Sequence, residues 1–488
     1  MLAIQDLLRL QTEHDVKAGA FKEHLVPFED YIVSCRKYIT ANMPKEYTDG
    51  TWDDLKKDQE LDNLIANFVH KHEVKVSGYV TLDGELNVAL LLEHVIDNVK
   101  GYGILKEALD DPDVDEIQIN DYRTIYVVRK GVTMPYQTRD GKFPQFTNNA
   151  EITIFLNKLI NDGSVPQFTD GAPLLNAKTA AKQYRVNAVH PIANARGRAP
   201  YDFPITTVVI RKFKETKLNF DDMVRGGSVT PKMARLLGLI GRIDLNTFFI
   251  GPTASGKTTL LTAVAQNIPI YKRLCLVQNP TEITFFERDG EGKNKRNVLH
   301  WEANDAANAE KKNTNTMSNL ISNALRVTPD VLILGEARAP DEFTQLQRAM
   351  QTGHRVIGTY HAKDSADAIE RGASELSTGM GIALEEAKHQ WARSVDIIIA
   401  QHKFPDGTRK VMEITEVEGF DEKGELKLRP LFVYKLLNAY TDEDGVEHVR
   451  GKFEMVNPIS EKFQVSLRKD CVADSAFAEF TQIGDAID

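Results

Sequence analysis

The stretch from Phe248 to Leu261 constrains this chain more than any other. Phe248-Phe249-Ile250 is a short apolar run, Gly251-Pro252-Thr253-Ala254-Ser255-Gly256 a glycine-bounded loop, and Lys257-Thr258-Thr259-Leu260-Leu261 the opening turn of a helix. The spacing is that of the G-x-x-x-x-G-K-[ST] phosphate loop in its strand–loop–helix setting. Glycines let the backbone curl around an anion, and the following helix N-terminus favours negative charge. Lys257 is expected to reach the β- and γ-phosphates of ATP, and the Thr258 hydroxyl to hold Mg²⁺. Residues 251–259 are thus the candidate nucleotide-binding set. A bare glycine-rich turn at a strand-to-helix corner is the plainer alternative.

At 488 residues the chain has room for two to four domains. With 42% hydrophobic and 27% charged residues it has the composition of an ordinary soluble protein. The formal net charge of -10 counts against a protein that grips nucleic acid by its phosphates. Cys35, Cys275 and Cys471 are far apart and form no C-x-x-C pair, so neither a disulfide framework nor a zinc ribbon is indicated, and a reducing cytoplasm fits. Met1-Leu2-Ala3-Ile4-Gln5-Asp6 lacks the basic start of a signal peptide, and no run reaches the ~18 apolar residues of a membrane span. Work at a membrane therefore requires recruitment by a partner.

Residues 1–100 carry apolar stripes at three- and four-residue spacing, as in Leu61-Asp62-Asn63-Leu64-Ile65 and Leu90 to Val99, and predict a helical segment. Residues 101–214 predict an α+β domain. There Asp115 to Asn120 and Thr124 to Arg129 form a hairpin, a helix runs near 150–160, and strands return at Tyr184 to Val189 and Thr206 to Phe213. A link is expected at 215–230. Residues 231–400 alternate helix and strand, which predicts an α/β unit with a mostly parallel sheet; Leu274 to Val277, Val331 to Leu334, Val356 to Tyr360 and Val395 to Ala400 are its other strands. Arg288 to Lys312 reads mostly as surface loop, interrupted by Val298 to Trp301. Residues 401–488 form a β-rich appendage, with disorder expected from about Ala473.

Two further runs bear on the loop. Val331-Leu332-Ile333-Leu334-Gly335-Glu336 places a carboxylate at the carboxyl edge of the sheet, where open α/β sheets bind ligands. Glu336 is therefore expected to hold the magnesium shell or orient the attacking water, unless it is a strand that merely ends in an acid. Thr359-Tyr360-His361 puts a histidine on the same edge, either sensing the γ-phosphate or acting as a polar cap.

These residues resemble the secretion-ATPase superfamily of type II and type IV secretion, conjugation and type IV pilus assembly. The likeness rests on Gly251 to Thr258, on Pro329-Asp330 with Gly335-Glu336 and Arg338, and on Thr352-Gly353-His354 with Thr359 to Ala362. Tyr102 to Leu105, Asp111 to Ile117, Arg185 to Ala188 and Ile210 to Phe213 are similar to the N-terminal domain of its Tad/Flp-pilus branch. The resemblance implies a RecA-like core, a homo-hexameric ring and ATP hydrolysis coupled to a platform protein of the inner membrane. Arg185 and Arg211 match positions where N-terminal-domain arginines reach the nucleotide, with Arg211 placed to neutralise transition-state charge; read alone, both are strand-end arginines open to solvent. Arg326 and Arg338 match likewise.

The chain also departs from the family pattern. An acidic box with two glutamates is usual after the second core strand, but Gln278-Asn279-Pro280-Thr281-Glu282 keeps only Glu282, and an amide cannot take a proton from water. Either Glu336 carries that role or hydrolysis is slow. The basic Arg196-Gly197-Arg198 insertion has no assignment, and the absence of a four-cysteine zinc module argues against the type II branch. The expectation is a cytoplasmic Mg²⁺-ATPase motor recruited to the membrane. A RecA-type nucleic-acid motor and a nucleotide-gated scaffold with little hydrolysis are the alternatives.

Overall fold

The computed structural model describes residues 25–483 apart from 45–53, 147–151, 161–167, 169–172, 180–183, 195–204, 213–218, 286–288, 290–292, 304–314 and shorter gaps of one or two residues. The Arg196-Gly197-Arg198 insertion and the first 24 residues lie outside that set. The chain divides into two compact units, residues 1–129 with 133–212, and 130–132 with 213–488.

In the first unit the helices Phe28–Asn42, Asp54–Lys71 and Val88–Lys100 bury one stripe each, bringing Tyr31, Ile65, Phe68, Leu91 and Val95 together. The same unit contains a six-stranded sheet in the order β3-β2-β1-β6-β5-β4. Its strands are β1 (Val114–Asp121), β2 (Thr124–Arg129), β3 (Val132–Pro135), β4 (Leu174–Lys178), β5 (Tyr184–Val189) and β6 (Thr207–Lys212). One face is lined by alternate residues such as Ile117, Ile119, Val186 and Ile210. The described residues of the helix expected near 150–160, including Ile152, Leu156 and Leu159, are helical and buried in that core.

The second unit is built on a nine-stranded sheet in the order β15-β14-β13-β12-β7-β11-β10-β8-β9. Its parallel part comprises β7 (Thr247–Ile250), β8 (Leu274–Gln278), β9 (Val298–Glu302), β10 (Val331–Leu334), β11 (Arg355–Tyr360) and β12 (Ile397–Lys403). Apart from β9, these strands are buried almost end to end, because helices cover both faces. Strands β13 (Arg409–Phe420), β14 (Leu426–Thr441) and β15 (Glu447–Met455) add to β12 in antiparallel fashion.

Four expectations change. The segment 298–301 is not an interruption in a loop but the edge strand β9, paired parallel to β8. The link at 215–230 contains the helix Phe220–Arg225, capped by Asn219, with Met223 and Val229 buried in the core. The division expected at 400 falls inside β12, and Val411, Ile414 and Phe432 share one core with Phe249 and Leu261, so the β-rich tail extends the main sheet. After Ala473 the described residues, which run to 483, pack onto the core. Phe477 and Phe480 are buried, the Phe480 carbonyl accepts from Ile459 N, and Arg235 Nε lies 2.7 Å from Glu479 Oε1.

Two close fits hold the parallel part in place. Arg355, at the start of β11, is buried and donates to the carbonyls of Ile240 (2.7 Å), Gly241 (3.0 Å) and Leu245 (3.2 Å), closing the C-terminal end of the helix Pro231–Arg242. Burial pushes its guanidinium down to about 10. Trp391 is fully buried, with ring centroids 5.3 Å from Phe248 and 5.3 Å from Phe343. It lies against Gly372 of the neighbouring helix Ser365–Met380, where a Cβ would sit 2.1 Å from the indole Nε1. Gly372→Ala is therefore expected to cost about 1–3 kcal/mol by overpacking, although the same change in an open helix is worth up to ~1 kcal/mol in the other direction. Urea unfolding reads this as a lowered midpoint; an unchanged or raised midpoint would mean that the two helices separate at little cost.

Candidate nucleotide site

The parallel sheet fixes where the site lies. β7 is the central strand, β11 and β12 flank it, and β10 lies beyond β11, so the segments that leave these strands at their carboxyl ends meet. From β7 comes the loop. Gly251 has φ +143°, and a Cβ there would stand 2.1 Å from the Gln401 carbonyl oxygen; Gly256 has φ +97° and opens the helix Lys257–Ala265. Ala254 is held in the left-handed region at φ +61°.

Inside the loop, Ser255 is fully buried and its hydroxyl oxygen has no hydrogen-bond partner. A buried hydroxyl without a partner at the start of a helix, where backbone N–H groups point outward, suits an anion, and the polyphosphate of a nucleotide fits it. Lys257 is buried and folded back, donating from Nζ to Gly251 O (2.9 Å) and Pro252 O (3.0 Å). Burial lowers its pKa, opposed by the negative charges of Glu336 and Glu282. Thr258 and Thr259 occupy the first turn of the helix, half-buried.

Glu336 follows β10 by two residues. One of its oxygens lies 2.7 Å from His361 Nε2, and the other accepts from Arg338 Nε at 2.8 Å and from Arg338 Nη2. Thr359 Oγ1 donates to Gly335 O (2.6 Å) and Ala337 N to Thr359 O (2.8 Å), so the ends of β10 and β11 are tied together. His361 Nδ1 lies 3.0 Å from Gly251 O and 3.4 Å from Lys257 Nζ. Protonated on Nε2 alone, the ring donates to Glu336 and accepts from Lys257; protonated on both nitrogens, it donates to Glu336 and Gly251. Lysine, histidine and carboxylate thus form one connected chain from the loop to the second strand along.

Gln278, where the sequence departs from the acidic pattern, is fully buried at the end of β8. Its Nε2 donates to Ile283 O (2.9 Å), while its Oε1 accepts from Glu282 N (3.0 Å) and Ile283 N (2.7 Å). A carboxylate can accept but not donate, so the amide fits this turn as an acid would not. Glu282 is exposed, acting on Lys257 only through its charge.

Arg211 belongs to the first unit, where Glu116 Oε2 accepts from its Nε (3.0 Å) and Nη2 (2.9 Å), and Arg185 faces it across the β5–β6 pairing. Arg326 is exposed in the turn after the helix Met317–Ala324. Sequence reading missed Gln401 and Arg409, both against the loop; their only signal was the β-turn at Asp406-Gly407, which brings the chain back beside β12. Among the described residues, no group of three His, Cys, Asp or Glu could hold a metal. No described helix is long and apolar enough to cross a membrane.

Residues 149–424, more than half of the chain, match the family described as Type II/IV secretion system protein. An uncharacterized protein of Methanocaldococcus jannaschii is 27% identical over 271 residues, 54% of this chain and 94% of that protein. A probable conjugal transfer protein, TrbB, of Sinorhizobium fredii is 27% identical over 318 residues, 64% of this chain and 86% of that protein. The solved structure of the Legionella pneumophila ATPase DotB is 15% identical and aligns over 77% of this chain and 86% of that one, with a TM-score of 0.46. The chain is a member of the Type II/IV secretion system protein family.

Proposed function

We propose that this protein is a Mg²⁺-dependent ATPase that works as a homo-hexameric ring. Its RecA-like core would convert nucleotide turnover into work on a membrane platform of a pilus or export machine. The Tad/Flp-pilus branch is the nearest assignment, and the protein acts from the cytoplasmic face. The observation that carries the reading is the connected chain Lys257–His361–Glu336 at the carboxyl edge of adjacent parallel strands, beside a buried Ser255 hydroxyl that lacks a partner. A relative named for conjugal transfer supports export as the task.

The residues divide the work. The amides of 251–259 hold the polyphosphate, and Lys257 exchanges the carbonyls of Gly251 and Pro252 for phosphate oxygens. Thr258 and Glu336 would hold a magnesium ion, which when bound would neutralise charge on the polyphosphate. Glu336 orients the attacking water, steadied by Arg338 and His361, and His361 reads the γ-phosphate through the loop. Arg211 and Arg185 are proposed to stabilise developing charge, which for Arg211 means leaving Glu116.

Phosphate release by the purified protein tests this. Turnover is expected to require Mg²⁺ and to fall at least tenfold when EDTA removes it. Tight ATP binding without turnover would establish the nucleotide-gated scaffold instead, and stimulation by single-stranded DNA the nucleic-acid motor.

A further inference from the structure

The turn between β12 and β13 reaches back to the phosphate loop. Arg409, the first residue of β13, donates from Nε to Ala254 O at 3.0 Å, and its Nη1 lies 3.5 Å from Gly407 O in its own turn. Its Cδ is 3.2 Å from the place a Gly256 Cβ would occupy. Beneath the same loop lies Gln401, only 5% exposed, its Oε1 without a hydrogen-bond partner and its Nε2 3.6 Å from that Gly256 position. The register of the β12–β13 pair shifts at Ala400/Gln401, where β12 passes Gly251. Irregularities of this kind re-aim side chains next to sites.

The turn that presents Arg409 is itself braced. Asp406 Oδ1 accepts from Thr408 N (2.9 Å) and Thr408 Oγ1 (2.7 Å), and its Oδ2 lies 3.1 Å from His448 Nδ1 on β15. The arginine is therefore held from behind while it holds the loop. Its grip falls on Ala254, whose left-handed backbone a non-glycine residue adopts only under constraint.

Resting on the nucleotide-binding reading of this loop, we propose that Arg409 is a positioning residue for it. The guanidinium fixes the Ala254 carbonyl outward, so that the neighbouring N–H groups stay converged on the polyphosphate, and Gln401 forms the floor on which the loop rests. The planar fork suits a bridge between two carbonyls better than an ammonium does. Neither side chain enters the transferred group, so the effect belongs to affinity and not to the chemical step.

Two measurements on the full chain test this, using Arg409→Ala and Arg409→Lys. In the nucleotide-free protein, amide hydrogen exchange over residues 253–256 is expected to quicken about tenfold in Arg409→Ala and to recover partly in Arg409→Lys. The Kd for MgATP is expected to rise about tenfold in Arg409→Ala, with kcat changed by less than about twofold. Unchanged exchange overturns the inference, as does faster exchange with an unchanged Kd, or a loss confined to kcat. Should the wild-type protein bind no ATP, the nucleotide reading falls, and the exchange arm still decides whether Arg409 holds the loop.

Discussion

Lys257→Ala is expected to lower MgATP turnover by a factor of about 10³ or more while leaving the protein folded. The side chain is buried with its ammonium against Gly251 O (2.9 Å) and Pro252 O (3.0 Å), contacts that a phosphate would replace. Truncation removes the one cation inside the loop as charge moves onto the transferred phosphoryl, so most of the loss falls on the reacting state and not on the fold. The stability change is smaller because two terms oppose each other. Two carbonyls lose a donor, worth about 1–3 kcal/mol, and a desolvated ammonium is relieved of its burial cost. Phosphate-release assays beside urea unfolding separate the two readouts. Turnover within tenfold of the wild type would remove Lys257 from the chemistry, and a collapse of the unfolding transition would show that the lysine serves the fold instead.

The candidate site was legible to the extent that it lies in contiguous residues. A phosphate loop, a strand ending in Gly-Glu and a strand ending in Thr-x-His are each local patterns, and parallel strands buried on both faces announce themselves as unbroken apolar runs. The sheet then does what the pattern implies, with Gly251, Glu336 and His361 leaving β7, β10 and β11 at one edge. What stayed hidden depends on pairing between distant segments. Val298 to Glu302 is a strand because β8 offers it an edge, and its own residues, only half-buried, alternate in no clear way. Phe477 and Phe480 looked like terminal residues because their core partners, Phe463 and Leu467 among them, stand on a helix whose short stripe sits among charges. Arg409 was invisible as a site residue for the same reason: it lies 155 positions from Ala254, and only the β12–β13 turn brings the two together. Gln278 shows the converse. The substitution was plain in the sequence, but its meaning, an amide donating and accepting within one turn, depends on how the fold places Ile283 and Glu282.

That reading of Gln278 shifts the burden to Glu336, and Glu336→Gln is expected to cut turnover about 10²–10³-fold while ATP binding is retained. The amide keeps the shape of the carboxyl group and an oxygen to accept from Arg338 or His361, so the loop and the ends of β10 and β11 stay in place. What it loses is the negative charge that offsets Arg338 and that, in the proposed mechanism, draws a proton from the attacking water. Its NH₂ also meets a donor on one side, because both Arg338 and the Nε2 proton of His361 point at this group. Glu282→Gln is the control. That side chain is exposed and acts on the site through charge alone, so its loss is expected to change turnover less than about threefold. Turnover and MgATP affinity measured on both variants decide the assignment. If Glu282→Gln were the crippled enzyme and Glu336→Gln the active one, the water-orienting carboxylate would belong to the turn after β8. The chain of contacts from Lys257 through His361 to Glu336 would then serve to sense the nucleotide and not to break it down.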